Sequence, residues 1–134
     1  MYLALLNEEK KKLFLDLSYC IASADGVYSD DEKLMISSYQ QEMNNFYDPA
    51  RSKKNVKDVI AALAKNCSKQ EMKIIVFEAI GLAVVDGIYD DSEQAIIHLL
   101  TEVFQMDASF PDECEKIINE YVSFQGRINS LVLG

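Results

Sequence analysis

The pattern Asp-Gly-x5-Glu occurs twice in this chain, at a fixed offset of 61 positions. One copy spans Ile21 to Glu32 and the other Leu82 to Glu93. Ala22/Ala83, Asp25/Asp86, Gly26/Gly87, Tyr28/Tyr89, Asp30/Asp91 and Glu32/Glu93 are identical pairs, and Val27/Ile88 is conservative. Each copy has an apolar stretch with helical spacing before its glycine and a capping pattern after it. A chain built this way is restricted to helix-turn-helix units used twice. The expectation is an all-α bundle of about six or more helices, assembled from two pseudo-symmetric helix-turn-helix repeats.

Hydrophobic periodicity fills in the rest. A first helix is expected from about Asn7 to Asp25, with Leu13, Phe14, Leu17, Ile21 and Ala24 on its apolar face. A second runs from about Ser29 to Phe46 and ends before Asp48-Pro49, because the residue ahead of a proline resists the helical region. A third starts near Ser52 or Asn55 and closes at Asn66-Cys67. Ser68-x-x-Glu71 is a capping box opening a fourth helix. That helix is apolar nearly all round through Val85 and is expected to be the buried central one, stopped by Gly87. A fifth covers Asp90 to about Phe104. A sixth opens at Ser109-Phe110-Pro111-Asp112, with Ile117, Ile118, Tyr121, Val122, Phe124, Ile128 and Leu131 as its apolar positions. One domain over 1–134 is expected: repeat one at about 7–46, repeat two at about 68–104, and a C-terminal helix at about 110–131.

The charge narrows the range of partners. Thirteen basic against 22 acidic residues give a net charge of −9. Nucleic-acid affinity rests largely on Lys and Arg neutralising phosphates, so nucleic acid is not expected as a partner. A cation or a basic protein surface suits such a chain better. Cys20, Cys67 and Cys114 are odd in number and far apart. They read as free, mostly buried thiols in a reducing compartment, not as a disulfide framework or a thiolate zinc site. The opening Met1 to Leu6 has no basic leader and is not read as a signal peptide, and no apolar run reaches the ~18 residues of a membrane span. The cytoplasm is the default compartment.

Much of the repeated motif has a local structural explanation. Gly26 and Gly87 suit the left-handed position past a helix end. Ser29-x-x-Glu32 and Asp90-x-x-Glu93 are capping boxes, and Asp30 and Asp31 lie in a first turn, where the helix dipole favours anions. Asp25 and Asp86 fit less easily. As the last residues of their helices they place carboxylates at the negative end of the dipole, so either the next helix's free N–H groups or a cation must compensate. The spacing matches positions five, six and twelve of an EF-hand loop. Positions one and three, however, are Ile21 and Ser23 in one copy and Leu82 and Val84 in the other, so neither copy is an EF-hand. A composite site would need oxygens from both turns, and all-carboxylate ligation points to Ca²⁺ or Mg²⁺, with Mn²⁺ as a further candidate.

Over roughly residues 5 to 125 the chain resembles the TerB-like (tellurite-resistance TerB) family. The resemblance is carried by Ala22-x-Ala24-Asp25-Gly26-x5-Glu32, by Ala83-x-x-Asp86-Gly87-x5-Glu93, and by the Glu-Lys-rich helix start at Glu8 to Lys12. It implies paired helical hairpins and acidic motif residues that bind divalent metal. It also implies a role in bacterial stress response or in a membrane-associated assembly, with no reaction attached. By position, Asp25, Glu32, Asp86 and Glu93 are the metal candidates, with Asp30 and Asp91 secondary. Direct tellurite chemistry is not expected of an acidic chain without a redox cysteine pair.

His98, the one histidine, is expected at a helix boundary or partly buried, and no nucleophile motif accompanies it. Tyr28 and Tyr89 read as turn-packing aromatics, and Lys10-Lys11-Lys12 and Arg51-x-Lys53-Lys54 as solvated faces. Leu131-Val132-Leu133 is expected either to fray or to dock on a partner. Two readings follow. The first is a non-enzymatic divalent-cation-binding module that senses or interacts with a protein partner. The second is a metal-free helical scaffold acting through a protein surface or as a homodimer.

Overall fold

The computed structural model describes residues 1–84 and 89–134. Asp86, the Gly87 helix stop, Val85 and Ile88 lie outside the described residues. Among the described residues a 3-10 turn at Leu3–Leu5 is followed by seven α-helices: α1 Glu8–Ala22, α2 Asp30–Met43, α3 Pro49–Ser52, α4 Val56–Asn66, α5 Lys69–Ala83, α6 Asp91–Val103 and α7 Ser109–Leu133. No strand occurs among the described residues. The expected all-α bundle is what forms.

Local chemistry sets most of the helix starts. Asn7, Ser29, Asn55, Ser68 and Asp90 each accept a hydrogen bond from a first-turn N–H. Ser29/Glu32, Ser68/Glu71 and Asp90/Glu93 close as full capping boxes, each satisfying two N–H groups that a helix start leaves without partners.

Two helices form the centre. α5 buries Met72, Ile74, Ile75, Val76, Ala79, Ile80, Leu82 and Ala83 along with Glu78, as its all-round apolar pattern requires. α1 is its equal, burying every residue from Leu13 to Ser18 plus Ile21 and Ala22. α1 packs on α2, α3, α4, α5 and α6, whereas α7 packs chiefly on α5. Phe14 meets Tyr39 of α2 edge-on, with ring centroids 5.2 Å apart. The Tyr39 hydroxyl donates to the Glu78 carbonyl at 3.0 Å, which gives a buried aromatic the polar partner it needs.

The second helix ends earlier than the proline rule implies. Asn44 adopts the left-handed conformation (φ 49°) and terminates α2 at Met43, a role asparagine tolerates better than most residues. Phe46, expected as the end of that helix, is therefore outside it and exposed. Pro49 then starts the short α3.

What ties the α2–α4 connection to the core is Asp16, a carboxylate buried within α1. Its Oδ1 accepts from the Tyr47 hydroxyl at 2.9 Å and the Ser52 hydroxyl at 3.0 Å, and its Oδ2 lies 3.1 Å from Lys54 Nζ. The pairing raises the Lys54 pKa, chiefly through the hydrogen bond to Asp16. The basic runs are thus not simply solvated: Lys54 neutralises Asp16, and Lys10 pairs with Glu71 at 2.9 Å.

Replacing Asp16 with Ala removes the acceptor for two hydroxyls and an ammonium, and is expected to lower stability by about 2–3 kcal/mol. Tyr47→Phe is expected to cost about 1 kcal/mol. Urea denaturation measures both, and an Asp16→Ala variant as stable as the parent contradicts the anchoring role. Glu71 gives a pH signature. The Ser68 N–H and then Lys10 hold its carboxyl below the usual range, so its ionised form stabilises the fold above the unfolded value near 4.5. That contribution is lost as pH falls through the lowered folded value. Glu71→Gln is expected to show a deficit of about 1 kcal/mol at neutral pH that shrinks steadily below pH 4.5; a pH-independent deficit contradicts this.

Candidate functional site

The first acidic turn resolves the puzzle of a carboxylate at the wrong end of a helix. α1 stops at Ala22, with Ser23 as its cap, so Asp25 is not the last helical residue. It sits in the turn, exposed, and its Oδ1 accepts from the Val27 N–H at 2.8 Å. This side-chain-to-backbone bond two residues on is the local turn that aspartate favours. Gly26 follows at φ +84°, the left-handed conformation expected of it. No dipole conflict needs a cation to relieve it.

The two motif glutamates sit in matching local settings. Glu32 and Glu93 are each only 4% exposed. Glu32 Oε1 accepts from the Ser29 N–H at 3.0 Å, while the Ser29 hydroxyl accepts from the Glu32 N–H at 3.1 Å. Glu93 Oε1 accepts from the Asp90 N–H at 3.4 Å, and Asp90 Oδ1 accepts from the Glu93 N–H at 2.8 Å. Both carboxylates point back along the helix start to close a capping box. Asp30 and Asp91 lie one position past the caps and are exposed, Asp30 having Lys33 3.9 Å away. Among the described residues, no group of three or more His, Cys, Asp or Glu is arranged to hold a metal ion. The second turn's Asp86 lies outside the described residues.

The tyrosines pack the turns onto the bundle, as expected. Tyr28 meets Tyr19 edge-on at 5.4 Å, and Lys33 Nζ stands 5.4 Å from its ring centroid. Tyr89 is half-buried. Burial, then the charges of Glu115, Glu93 and Asp112, push its hydroxyl up to about 12. His98 departs from expectation. Its side chain is 82% exposed and faces Glu102 across 3.9 Å, so it is a surface residue of α6. Burial raises the thiols of Cys67 and Cys114 to about 11, which keeps them protonated at neutral pH and weak as nucleophiles.

The sixth expected helix forms as α7, but most of its apolar positions find no cover. Of its expected apolar positions only Ile118 is buried, joined by Cys114. Phe110 lies beside Lys73, 5.9 Å from ring centroid to Nζ, and Ile118 lies beside Gly81. α7 therefore runs in the same direction as α5, and α5 ends at Ala83. The distal part of α7 projects past that end, and every residue from 119 to 134 is exposed. Tyr121, Val122, Phe124, Ile128, Leu131, Val132 and Leu133 are all uncovered, Phe124 at 58% and Leu131 at 85%. Leu131 to Leu133 remain helical. A contiguous apolar surface larger than a few hundred Å² on a folded chain marks an interaction site. The sequence signal was present in the 3-and-4 spacing of these residues, but spacing does not say what covers a face.

No protein-family model, no curated protein and no solved structure matches this chain.

If the turn carboxylates serve as caps, substitutions that keep an acceptor are neutral. Asp25→Asn and Glu32→Gln are expected to change stability by less than ~0.5 kcal/mol, while Glu32→Ala costs about 1 kcal/mol. Chelator-stripped protein is expected to melt within ~1 °C of its own value when millimolar Ca²⁺, Mg²⁺ or Mn²⁺ is added. A larger rise that disappears in Asp25→Asn would show the turn to be a cation site.

Proposed function

We propose that this chain is a non-enzymatic helical interaction module that docks a protein partner through the distal half of α7. One observation carries the reading. A helix of 25 residues, about 37 Å long, keeps only its first turns against the bundle and holds an apolar face clear of it. Leaving that face in water sacrifices the burial that stabilises every other helix here, roughly 25 cal/mol for each Å² of apolar surface. Occupation by a partner recovers it.

Other features agree with a binding role rather than a chemical one. Burial keeps Cys67 and Cys114 protonated, and His98 stands at the surface with Glu102 as its neighbour, so neither of these two thiols is activated as a nucleophile. No described helix is long and apolar enough to cross a membrane, so α7 is better suited to a protein groove or another helix than to spanning a bilayer. The TerB-like resemblance of the two acidic turns is compatible with this, since it implies a role in bacterial stress response or in a membrane-associated assembly, with no reaction attached. In this reading the turns hold the hairpins in shape, and divalent-cation binding at Asp25, Glu32, Asp86 and Glu93 is not required for docking.

Site-specific photo-crosslinking in the native host tests this. A photoreactive phenylalanine analogue in place of Phe124 is expected to give a discrete protein adduct, and the same analogue at the exposed Gly126, on the other side of α7, to give little or none. No adduct from position 124, or equal labelling from both, sinks the reading.

A further inference from the structure

The chemistry of the exposed α7 face identifies its occupant. Ile117, Tyr121, Phe124, Ile128 and Leu131 follow one another at intervals of four, three, four and three. This is the a/d seam of a coiled coil, with Cys114, Tyr121 and Ile128 at a and Ile117, Phe124 and Leu131 at d. In the same register Glu113, Glu120 and Arg127 occupy the flanking g positions. Glu120 and Arg127 are both exposed and, with Phe124, Lys116, Asn119 and Ser123, line a surface depression of ≈ 530 Å³. Between 119 and 134 they are the only charged side chains in the sequence, one of each sign.

That charge pair selects the partner. A strongly basic or acidic ligand finds nothing to match on a segment of zero net charge. An anionic membrane surface needs Lys and Arg along the polar side of an amphipathic helix, and Arg127 is the one cation there. A second copy fits. When two α7 helices run antiparallel, Tyr121 of one packs in the layer of Phe124 of the other, and Ile117 in the layer of Ile128. The g positions then face each other, so Glu120 meets Arg127 of the second copy and Arg127 meets its Glu120. A two-fold interface makes each such pair twice. The parallel arrangement instead sets Glu120 against Gln125 and Arg127 against Val132, and gains no ion pair. The exposed parts of Ile117, Tyr121, Phe124, Ile128, Leu131 and Val132 amount to roughly 700 Å² per copy, close to the ~800 Å² that each partner contributes to a standard interface.

We infer that the chain self-associates as a two-fold dimer through antiparallel pairing of its distal α7 helices, centred on Tyr121 and Phe124 and oriented by Glu120–Arg127 pairs. This rests on the docking role of α7 proposed above and names its partner.

The test uses the purified full chain in sedimentation equilibrium from micromolar to millimolar concentration. A monomer–dimer equilibrium is expected. Phe124→Asp should abolish it while leaving helicity and the melting temperature of the dilute, monomeric chain unchanged, because that side chain is exposed in the single chain. Glu120→Arg and Arg127→Glu, each creating two like-charge contacts, should each weaken the dimer about tenfold. The double swap E120R/R127E should restore it to within about threefold. A monomer at every concentration overturns the inference, and so does a dimer indifferent to Phe124→Asp or to both single swaps, or one not restored by the double swap. A monomeric purified chain whose position 124 still cross-links to a different protein in the host overturns the second copy as occupant but leaves the docking role standing. Absence of any adduct removes both.

Discussion

The need to keep two helices out of water governs this bundle. α5 has apolar side chains around nearly its whole circumference, and α1 buries an unbroken run from Leu13 to Ser18. Neither can exist exposed. They pack on each other, and α2, α3, α4 and α6 complete the wrapping around α1. The remaining side of α5 takes the first turns of α7, with Ile118 beside Gly81 close to the end of α5. The projecting half of α7 follows from a mismatch in length, 25 residues laid alongside 15.

The wrapping creates its own electrostatic demand. A helix buried on so much of its surface leaves no place in water for Asp16, which sits in the middle of that run. A buried carboxylate is tolerable only with a charge partner and hydrogen bonds, and the α2–α4 connection supplies them, two hydroxyls from Tyr47 and Ser52 to Oδ1 and the Lys54 ammonium beside Oδ2. The path of that connection is set as much by this carboxylate as by the proline at position 49. Asn45 reinforces it, donating to Glu8 at 3.0 Å and accepting from the Tyr47 N–H.

The acidic turns illustrate how a short motif can carry two readings that only geometry separates. Asp-Gly-x5-Glu resembles part of a calcium loop because both need a sharp glycine turn followed by a glutamate reaching back. In the first turn the glutamate reaches back to a backbone N–H, and Asp25 does the same within the turn. The difference turns on where α1 ends. Placing its end at Asp25 put a carboxylate against the helix dipole; ending it at Ala22 turns the same residue into an ordinary turn former. Helix boundaries are the least legible feature of a sequence, because fraying and capping compete within a residue or two.

The helical class, the three capping boxes, the left-handed Gly26 and the burial of α5 are legible in the order of residues, because all depend on neighbours within a turn or two along the chain. The sequence also carried, unread, a signal for the Asp16 network: a single acid inside an otherwise apolar helical run. Which apolar faces find cover depends instead on how the helices pack. Periodicity marked α7 as amphipathic just as it marked α6. Yet α6 packs against α1, α4 and α5, whereas every residue of α7 from position 119 onward is exposed, and His98 and Phe46 likewise lie outside the core. Hydrophobic spacing records that a helix has a side to bury; the lengths and directions of its neighbours decide whether this chain or another buries it.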